Sequence, residues 1–303
     1  MPELKSFVSI EELDALVAMA RREDLGPAGV DATSEVTIPA DLMGEATMVA
    51  RQPGVVAGLA LLDRVVAAYD PAVELQLLKR DGDTAIQSGS GSLAVFRGKL
   101  RSILAIERVA LNFVTRLSGI ATLTRRYVDA IANVEGSRAR IYDTRKTLPG
   151  WRGLEKYAVA AAGGATHRVG LYDAVLIKDN HIAHVSGAPG STLSETVARA
   201  AREARERFPQ LKFVEVEVDT LEQLQQVLAT GVDIVLLDNM APATLREAVA
   251  MRDARAPQVE LEASGGVNLD TVAAIAATGV ERISVGALTH SAIALDVGLD
   301  ILG

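Results

Sequence analysis

Cysteine is missing from all 303 residues. Disulfides, thiolate nucleophiles and Cys-ligated zinc or iron–sulfur sites are therefore excluded. Aromatic residues make up only 4%, with a single tryptophan, Trp151. Nowhere do 18 apolar residues run together, and the opening MPELKSFVSI has an acidic residue and no apolar stretch of signal-peptide length. The expectation is a soluble, cytoplasmic protein with no membrane partner. A basic excess is missing too: Lys and Arg number 31 against 39 Asp and Glu, a formal net charge of −8. Nucleic acid and anionic membranes both demand a broad positive field, so neither is expected as a partner.

What is present is core material: 49% of the residues are hydrophobic and 23% charged, an ordinary globular balance. The length fits two domains or one large α/β barrel. Ser9 with Glu12 forms a capping box ahead of Leu13, Leu16, Val17 and Ala20 at helical spacing, and Gly26-Pro27 stops that helix. Strand-like segments follow at Glu45–Arg51 and Val73–Leu78. Ser88-Gly-Ser-Gly-Ser-Leu93 lacks the helix and downstream acid of a dinucleotide fingerprint and reads as a hairpin loop. A helix from Ile103 to Ile120 places Ile106, Ala110, Phe113, Leu117 and Ile120 on one face. This part, residues 1–115, reads as an α+β unit.

From about residue 138 the grammar changes. Short β-branched runs (RIYDTR, ATHRV, AVLIKDN, KFVEVEVD, IVLLDN, QVELEASGG, RISVGA) alternate with helices such as Leu193–Phe208, Leu221–Ala229 and Ala241–Met251. That rhythm implies a parallel sheet. Seven strands fall one short of a closed barrel, so residues 116–288 are expected to form an incomplete (β/α) barrel. The tail, about 289–303, has no helix partner and is expected to return to the first domain.

The strand ends carry the chemistry. In order they offer Arg145 and Lys146, His167 and Arg168, Lys178, Glu217, Asp238, Ser264-Gly265-Gly266, and Gly286. In a parallel barrel these ends open on one face, where active sites form. Between Arg138 and His181 eight Lys or Arg stand against four Asp or Glu, a local positive excess in an acidic chain. Arg offers a bidentate fork to carboxylate or phosphate, and Lys a compact charge to phosphate. Ser264-Gly265-Gly266 before a helix starting near Leu269 resembles a phosphate cradle, although Ser-Gly-Gly is also a common turn. Glu217 and Asp238 could bind sugar hydroxyls, hold a divalent cation or stabilise a cationic transition state. They could equally form a strand-end salt bridge with Lys178 or Arg168. His181 and His184 have no third ligand and no HExxH, so His181 is expected to cap or line a loop. Trp151 is expected to pack over the basic loop.

The stretch Asp143-Thr-Arg-Lys-Thr-Leu-Pro-Gly150, with His167-Arg-Val-Gly170 and Leu176-Ile-Lys-Asp-Asn-His181, closely resembles the quinolinate phosphoribosyltransferases. The resemblance continues through Glu107-Arg-Val-Ala-Leu-Asn112, Glu215-Val-Glu-Val-Asp219, Leu236-Leu-Asp-Asn239, Glu262-Ala-Ser-Gly-Gly266 and Val285-Gly-Ala-Leu-Thr-His290. It implies an N-terminal α+β domain joined to an incomplete α/β barrel. It also implies transfer of phosphoribosyl from phosphoribosyl pyrophosphate to quinolinate with decarboxylation, aided by Mg²⁺. The products are nicotinate mononucleotide, pyrophosphate and CO₂, in NAD biosynthesis. By the same resemblance Arg145, His167 and Arg168 clamp quinolinate, and Arg108 reaches the neighbouring site of a homodimer. Lys146, with Thr147, and Lys178 face the pyrophosphate substrate. Glu217 and Asp238 hold ribose hydroxyls and the metal, with Lys146, Glu217 and Asp238 as catalytic residues. Ser264, Gly265, Gly266, Val285, Gly286 and Ala287 line the 5-phosphate site. Rival readings are a relative acting on another aromatic acid, a non-catalytic phosphosugar-binding module, and an aldolase or lyase using Lys178 as a Schiff base.

Overall fold

The computed structural model describes residues 2–86, 90–178, 180–181 and 192–302. Its strands are β1 (Met43–Ala50), β2 (Glu74–Leu77), β3 (Ser92–Lys99), β4 (Arg140–Tyr142) and β5 (Val175–Ile177). They continue with β6 (Val214–Val218), β7 (Ile234–Asp238), β8 (Glu260–Ser264), β9 (Arg282–Ser284) and β10 (Val297–Leu302). No described helix is long and apolar enough to cross a membrane.

The chain divides into two compact units. The first comprises Met1–Arg125, Thr147–Gly163 and Leu288–Gly303; the second comprises Arg126–Lys146 and Gly164–Ala287. The tail joins residues 1–115 as expected, but the first unit also takes residues 116–125 and Thr147–Gly163. Helix Leu100–Ala132 runs past that point without a break. Helix Arg152–Ala161 is drawn into the first unit by its side chains. Tyr157 Oη donates to buried Asp81 at 2.6 Å, and Asp81 also accepts the N–H groups of Leu59 and Ala60. Arg116 Nη2 donates to buried Glu155 at 2.6 Å.

In the first unit the capping box at Ser9 forms as expected, with Glu12 N–H on Ser9 Oγ at 3.1 Å and Ser9 N–H on Glu12 Oε2 at 3.0 Å. Such a cap stabilises a helix start by about 1 kcal/mol. An antiparallel sheet runs in the order β10-β1-β3-β2, so the C-terminal strand lies beside β1, with Glu45 opposite Leu302 and Ala50 opposite Val297. Ile103, Ile106, Ala110, Phe113, Leu117 and Ile120 of the long helix are all buried. Burial of each large apolar side chain contributes about 1.5–3 kcal/mol.

In the second unit six strands are all parallel, in the order β4-β9-β8-β7-β6-β5. This is the incomplete (β/α) barrel. Of the seven expected segments, ATHRV contributes only a single bridge, Ala165 to Tyr142, because Asp143 and His167 draw that stretch into side-chain bonding. Successive strand residues face opposite ways. One face carries buried Val214, Val216, Val218, Val235, Leu237, Leu261, Ala263 and Ile283. The opposite face is polar, and pairing aligns Glu217, Leu236, Glu262 and Arg282 in one rank across β6, β7, β8 and β9. After β8 the helix begins at Val272 rather than Leu269, and has five residues. Asn268 Oδ1 takes the N–H groups of Asp270 and Thr271 and holds the intervening turn out of helical form.

Candidate active site

The C-terminal rim of the parallel sheet is built from adjoining strands. Lys178, one residue beyond β5, donates from Nζ to Glu217 Oε2 of β6 at 2.8 Å. Next along the rim is Asp238, which ends β7. Its neighbour Asn239 donates from Nδ2 to Asp238 Oδ2 at 2.7 Å, and Asn239 N–H donates to Ser264 O at 2.8 Å. Asn239 takes the left-handed conformation, φ 53°, as an Asn tolerates. Gly265 follows Ser264 at φ 90°, and a Cβ there would lie 2.2 Å from Asn239 Oδ1. The two turns interlock, and only glycine fits the second. Val285 N–H donates to Tyr142 O at 2.9 Å, and Gly286 and Ala287 follow into a four-residue helix.

On the basic side, Lys146 is exposed, and its N–H bonds Thr144 Oγ1 at 3.1 Å. Arg168 is buried; burial, then the nearby like charge of Arg145, lowers its pKa, with Glu215 and Asp173 acting the other way. An arginine whose charge is disfavoured by burial and by a like charge nearby suits an anionic partner. Asp173 fixes the loop after Arg168 by accepting the N–H groups of Val169 and Gly170, each at 2.9 Å.

Below the rim lies a buried ionisable cluster. His167 Nε2 is 3.0 Å from Glu215 Oε2 and 3.4 Å from Glu262 Oε1. Arg282 Nε donates to Glu262 Oε2 at 2.6 Å, and the guanidinium stacks over the Tyr142 ring at 3.8 Å. On its other edge His167 Nδ1 accepts the Arg168 N–H at 2.8 Å, while His167 N–H donates to Asp143 Oδ1 at 2.8 Å. Burial works against charge on His167, but hydrogen bonding to Glu215 and Glu262 more than offsets it and raises the pKa to about 9. Burial, then repulsion from Glu262, raises the pKa of Glu215. At Glu262 burial is outweighed by His167 and Arg282, and the pKa falls. With Nδ1 accepting the Arg168 N–H, only Nε2 has room for a ring proton, and a second one would have to displace that N–H. His167, Glu215 and Glu262 also have metal-ligand spacing. However, Nε2 ligation would require the proton to move onto Nδ1, where the Arg168 N–H already points.

Two family profiles match. Quinolinate phosphoribosyl transferase, N-terminal domain, covers residues 31–118, and the C-terminal domain covers 120–300. A nicotinate-nucleotide pyrophosphorylase (carboxylating) from Mycobacterium leprae is 45% identical over 297 residues, 96% of this chain and 98% of that one. The chain belongs to the quinolinate phosphoribosyltransferase family. A quinolinate phosphoribosyltransferase (decarboxylating) 1b from Nicotiana tabacum is 40% identical over 308 residues, covering 96% of this chain and 82% of that one. Among solved structures, a nicotinate-nucleotide pyrophosphorylase from Francisella tularensis superposes with a TM-score of 0.85 at 34% identity, covering 97% of this chain and 98% of the other. A human nicotinic acid phosphoribosyltransferase, 14% identical with a TM-score of 0.58, shares the fold alone.

For this family member the structure brings Arg145, Lys146, His167, Arg168, Lys178, Glu217, Asp238, Ser264, Gly265, Gly266, Val285, Gly286 and Ala287 into the second unit. Arg108 and Thr147 belong to the first. Arg108 is exposed on the long helix beside Glu107, and Thr147 Oγ1 accepts from Arg152 Nε at 3.0 Å. The strand-end salt bridge considered from sequence is realised between Lys178 and Glu217. His181 is a cap, the first of the two alternatives: it is helical, and its Nδ1 accepts the Lys178 N–H at 2.9 Å. Trp151 instead stacks on Phe113, with ring centroids 4.8 Å apart, so it anchors the start of its helix. His184 and Asp179 lie outside the described residues, as do residues 88 and 89 of the Ser88–Leu93 loop. Glu215, Glu262, Arg282, Asp143 and Asn239 are absent from the sequence-derived set. The alternation in Val214-Glu215-Val216-Glu217-Val218, which places Glu215 on the same face as Glu217, is the signal that could have found the first of them.

Proposed function

We propose that this chain transfers the phosphoribosyl group of phosphoribosyl pyrophosphate to quinolinate with loss of CO₂, giving nicotinate mononucleotide and pyrophosphate. The observation that carries the reading is the polarity of one rim: Arg145 and Arg168 on its basic side, Glu217 and Asp238 at neighbouring strand ends. A pyridine dicarboxylate suits the first pair. A sugar that becomes cationic as its leaving group departs suits the second.

In the proposed reaction the pyridine nitrogen attacks the anomeric carbon as the carbon–oxygen bond to pyrophosphate breaks. Glu217 and Asp238 stabilise positive charge on the ribose, and Lys146 and Lys178 face the departing pyrophosphate. The ribosylated ring then accepts the electron pair of the carbon–carboxylate bond; CO₂ leaves and that ring carbon takes a proton. Positioning and fixed charge supply most of the catalysis. Glu217 and Asp238 offer hard carboxylate oxygens, which suit Mg²⁺, whereas the imidazole-containing cluster below the rim does not. When bound with the substrate phosphates, Mg²⁺ would neutralise leaving-group charge. The working form is a cytoplasmic homodimer in which Arg108 reaches the neighbouring site.

The test is incubation of purified protein with quinolinate, phosphoribosyl pyrophosphate and Mg²⁺. Stoichiometric CO₂ and nicotinate mononucleotide are expected, and a chelator should stop their release. Product from another pyridine acid, but none from quinolinate, would reassign the substrate.

A further inference from the structure

Arg116 and Glu155 form a hub to which the proposed reaction gives no task. Glu155 is fully buried in the first turn of helix Arg152–Ala161, and its two oxygens serve different partners. Oε1 accepts from Arg116 Nε at 3.2 Å and Nη2 at 2.6 Å, while Oε2 accepts the Leu148 N–H at 3.3 Å. Arg116, on helix Leu100–Ala132, also donates to the C-terminal segment, from Nη2 to Thr289 O and from Nη1 to Ala292 O at 3.2 Å. One ion pair thus holds two backbone points, Leu148 and Thr289, that are far apart in the chain. Lys146 precedes Leu148 by two residues, and Ala287 precedes Thr289 by two. A Ser or Asp at the cap position would satisfy the helix start without burying a carboxylate, which is costly unless paired. The hub reaches further than capping requires.

We propose that Arg116 and Glu155 are positioning residues for phosphoribosyl pyrophosphate, fixing together the two chain segments that follow its pyrophosphate and 5-phosphate contacts. The inference rests on the proposed reaction for that substrate. There Lys146 and Thr147 face the pyrophosphate, and the Leu148 N–H anchors the chain directly behind them. Val285, Gly286 and Ala287 line the 5-phosphate site, and Thr289 O anchors the chain behind those. The quinolinate side has supports of its own. Arg145 sits inside a turn closed by the Lys146 N–H on Thr144 Oγ1, and Asp173 holds the loop after Arg168. The residue types follow from the task. An amide has one acceptor oxygen and cannot take both the guanidinium and the Leu148 N–H, whereas a carboxylate has two. A planar guanidinium reaches Glu155 and two carbonyls at once, which a single ammonium does not span.

The experiment pairs kinetics with amide hydrogen exchange in Glu155→Gln and Arg116→Lys. Each variant should raise KM for phosphoribosyl pyrophosphate about tenfold and move KM for quinolinate by less than about twofold. In the double variant the rise should stay at about tenfold, because both residues act through one tether; independent effects would multiply to about a hundredfold. Equal changes in both KM values, no change, or a multiplied effect would overturn the proposal. Exchange supplies a readout that needs no turnover. In Glu155→Gln the Lys146, Thr147 and Leu148 amides should exchange about tenfold faster while helix Arg152–Ala161 keeps its protection. Faster exchange throughout that helix, or none in the loop, would make Glu155 a helix-stabilising residue alone. If neither variant folds, the wild-type protein decides. Leu148 is 48% exposed, yet its amide should exchange about tenfold more slowly than an unstructured one. An unprotected Leu148 amide would remove the tether. Absence of turnover in the wild type would sink the proposed reaction, and the exchange rates would still decide the tether.

Discussion

Lys178 Nζ lies 2.8 Å from Glu217 Oε2 and so ties the ends of β5 and β6 together at the mouth of the barrel. Lys178 keeps 43% of its side chain exposed while Glu217 keeps 15%. A pair this wet adds little to stability, about 1 kcal/mol or less. In the proposed reaction its place at the rim is a catalytic one. Glu217→Gln should therefore lower kcat/KM by about 100-fold or more, with urea unfolding shifted by no more than about 1 kcal/mol. Lys146→Ala, exposed and outside any core, should act likewise. A large stability loss with near-normal turnover in either variant would reverse their roles.

Gly265 is the point at which two rim turns lock. An added Cβ would meet Asn239 Oδ1 at 2.2 Å and Asn239 N at 2.9 Å, and the backbone is left-handed there. Gly265→Ala should cost about 2–4 kcal/mol from strain and overpacking together. Asn239 would have to give way and release Asp238, so activity should fall further than stability alone dictates. Thermal melts and kcat measured on the folded fraction separate the two effects.

The proposed shared site is tested by mixing. Arg108→Ala and Lys178→Ala chains should each be inactive as homodimers. Co-refolded, they should regain about a quarter of wild-type activity, since half of the dimers are mixed and each mixed dimer holds one intact site. Absence of recovery in verified heterodimers would place Arg108 outside catalysis.

Asp173 offers a clean pH test. Burial alone would raise its pKa, but the Val169 and Gly170 N–H groups and then Lys212 more than offset this and lower it. A carboxylate depressed in the folded state stabilises fully above its unfolded value, about 4, and that contribution disappears as pH falls through the lower folded value. Asp173→Asn should thus be less stable than wild type by about 1–2 kcal/mol at pH 7, and the gap should close in acid. A gap constant from pH 7 to pH 3 would mean that charge on Asp173 contributes nothing.

The rim was legible because polar residues ending apolar strands stand out in a linear reading. The buried acids below it were not, since Glu215 and Glu262 lie inside strands, where an isolated acid reads as solvent-facing; only pairing shows that this face is enclosed. β3 was missed because its glycine- and serine-rich lead-in reads as turn. The long helix was expected to stop at Ile120, just past Gly119. In the structure that glycine is a point of close approach: a Cβ would stand 2.1 Å from Ile293 O, so the residue serves tertiary packing rather than termination. Arg152–Ala161 could not be assigned to the first unit from sequence, because its ties to Asp81 and Arg116 bridge long separations.

The pairing of β1 with β10 also has a consequence for synthesis. Glu45 finds its partner only at Leu302, so one side of β1 stays without its native neighbour until that distant strand has left the ribosome. An open strand edge of eight residues is a template for wrong pairing during that interval.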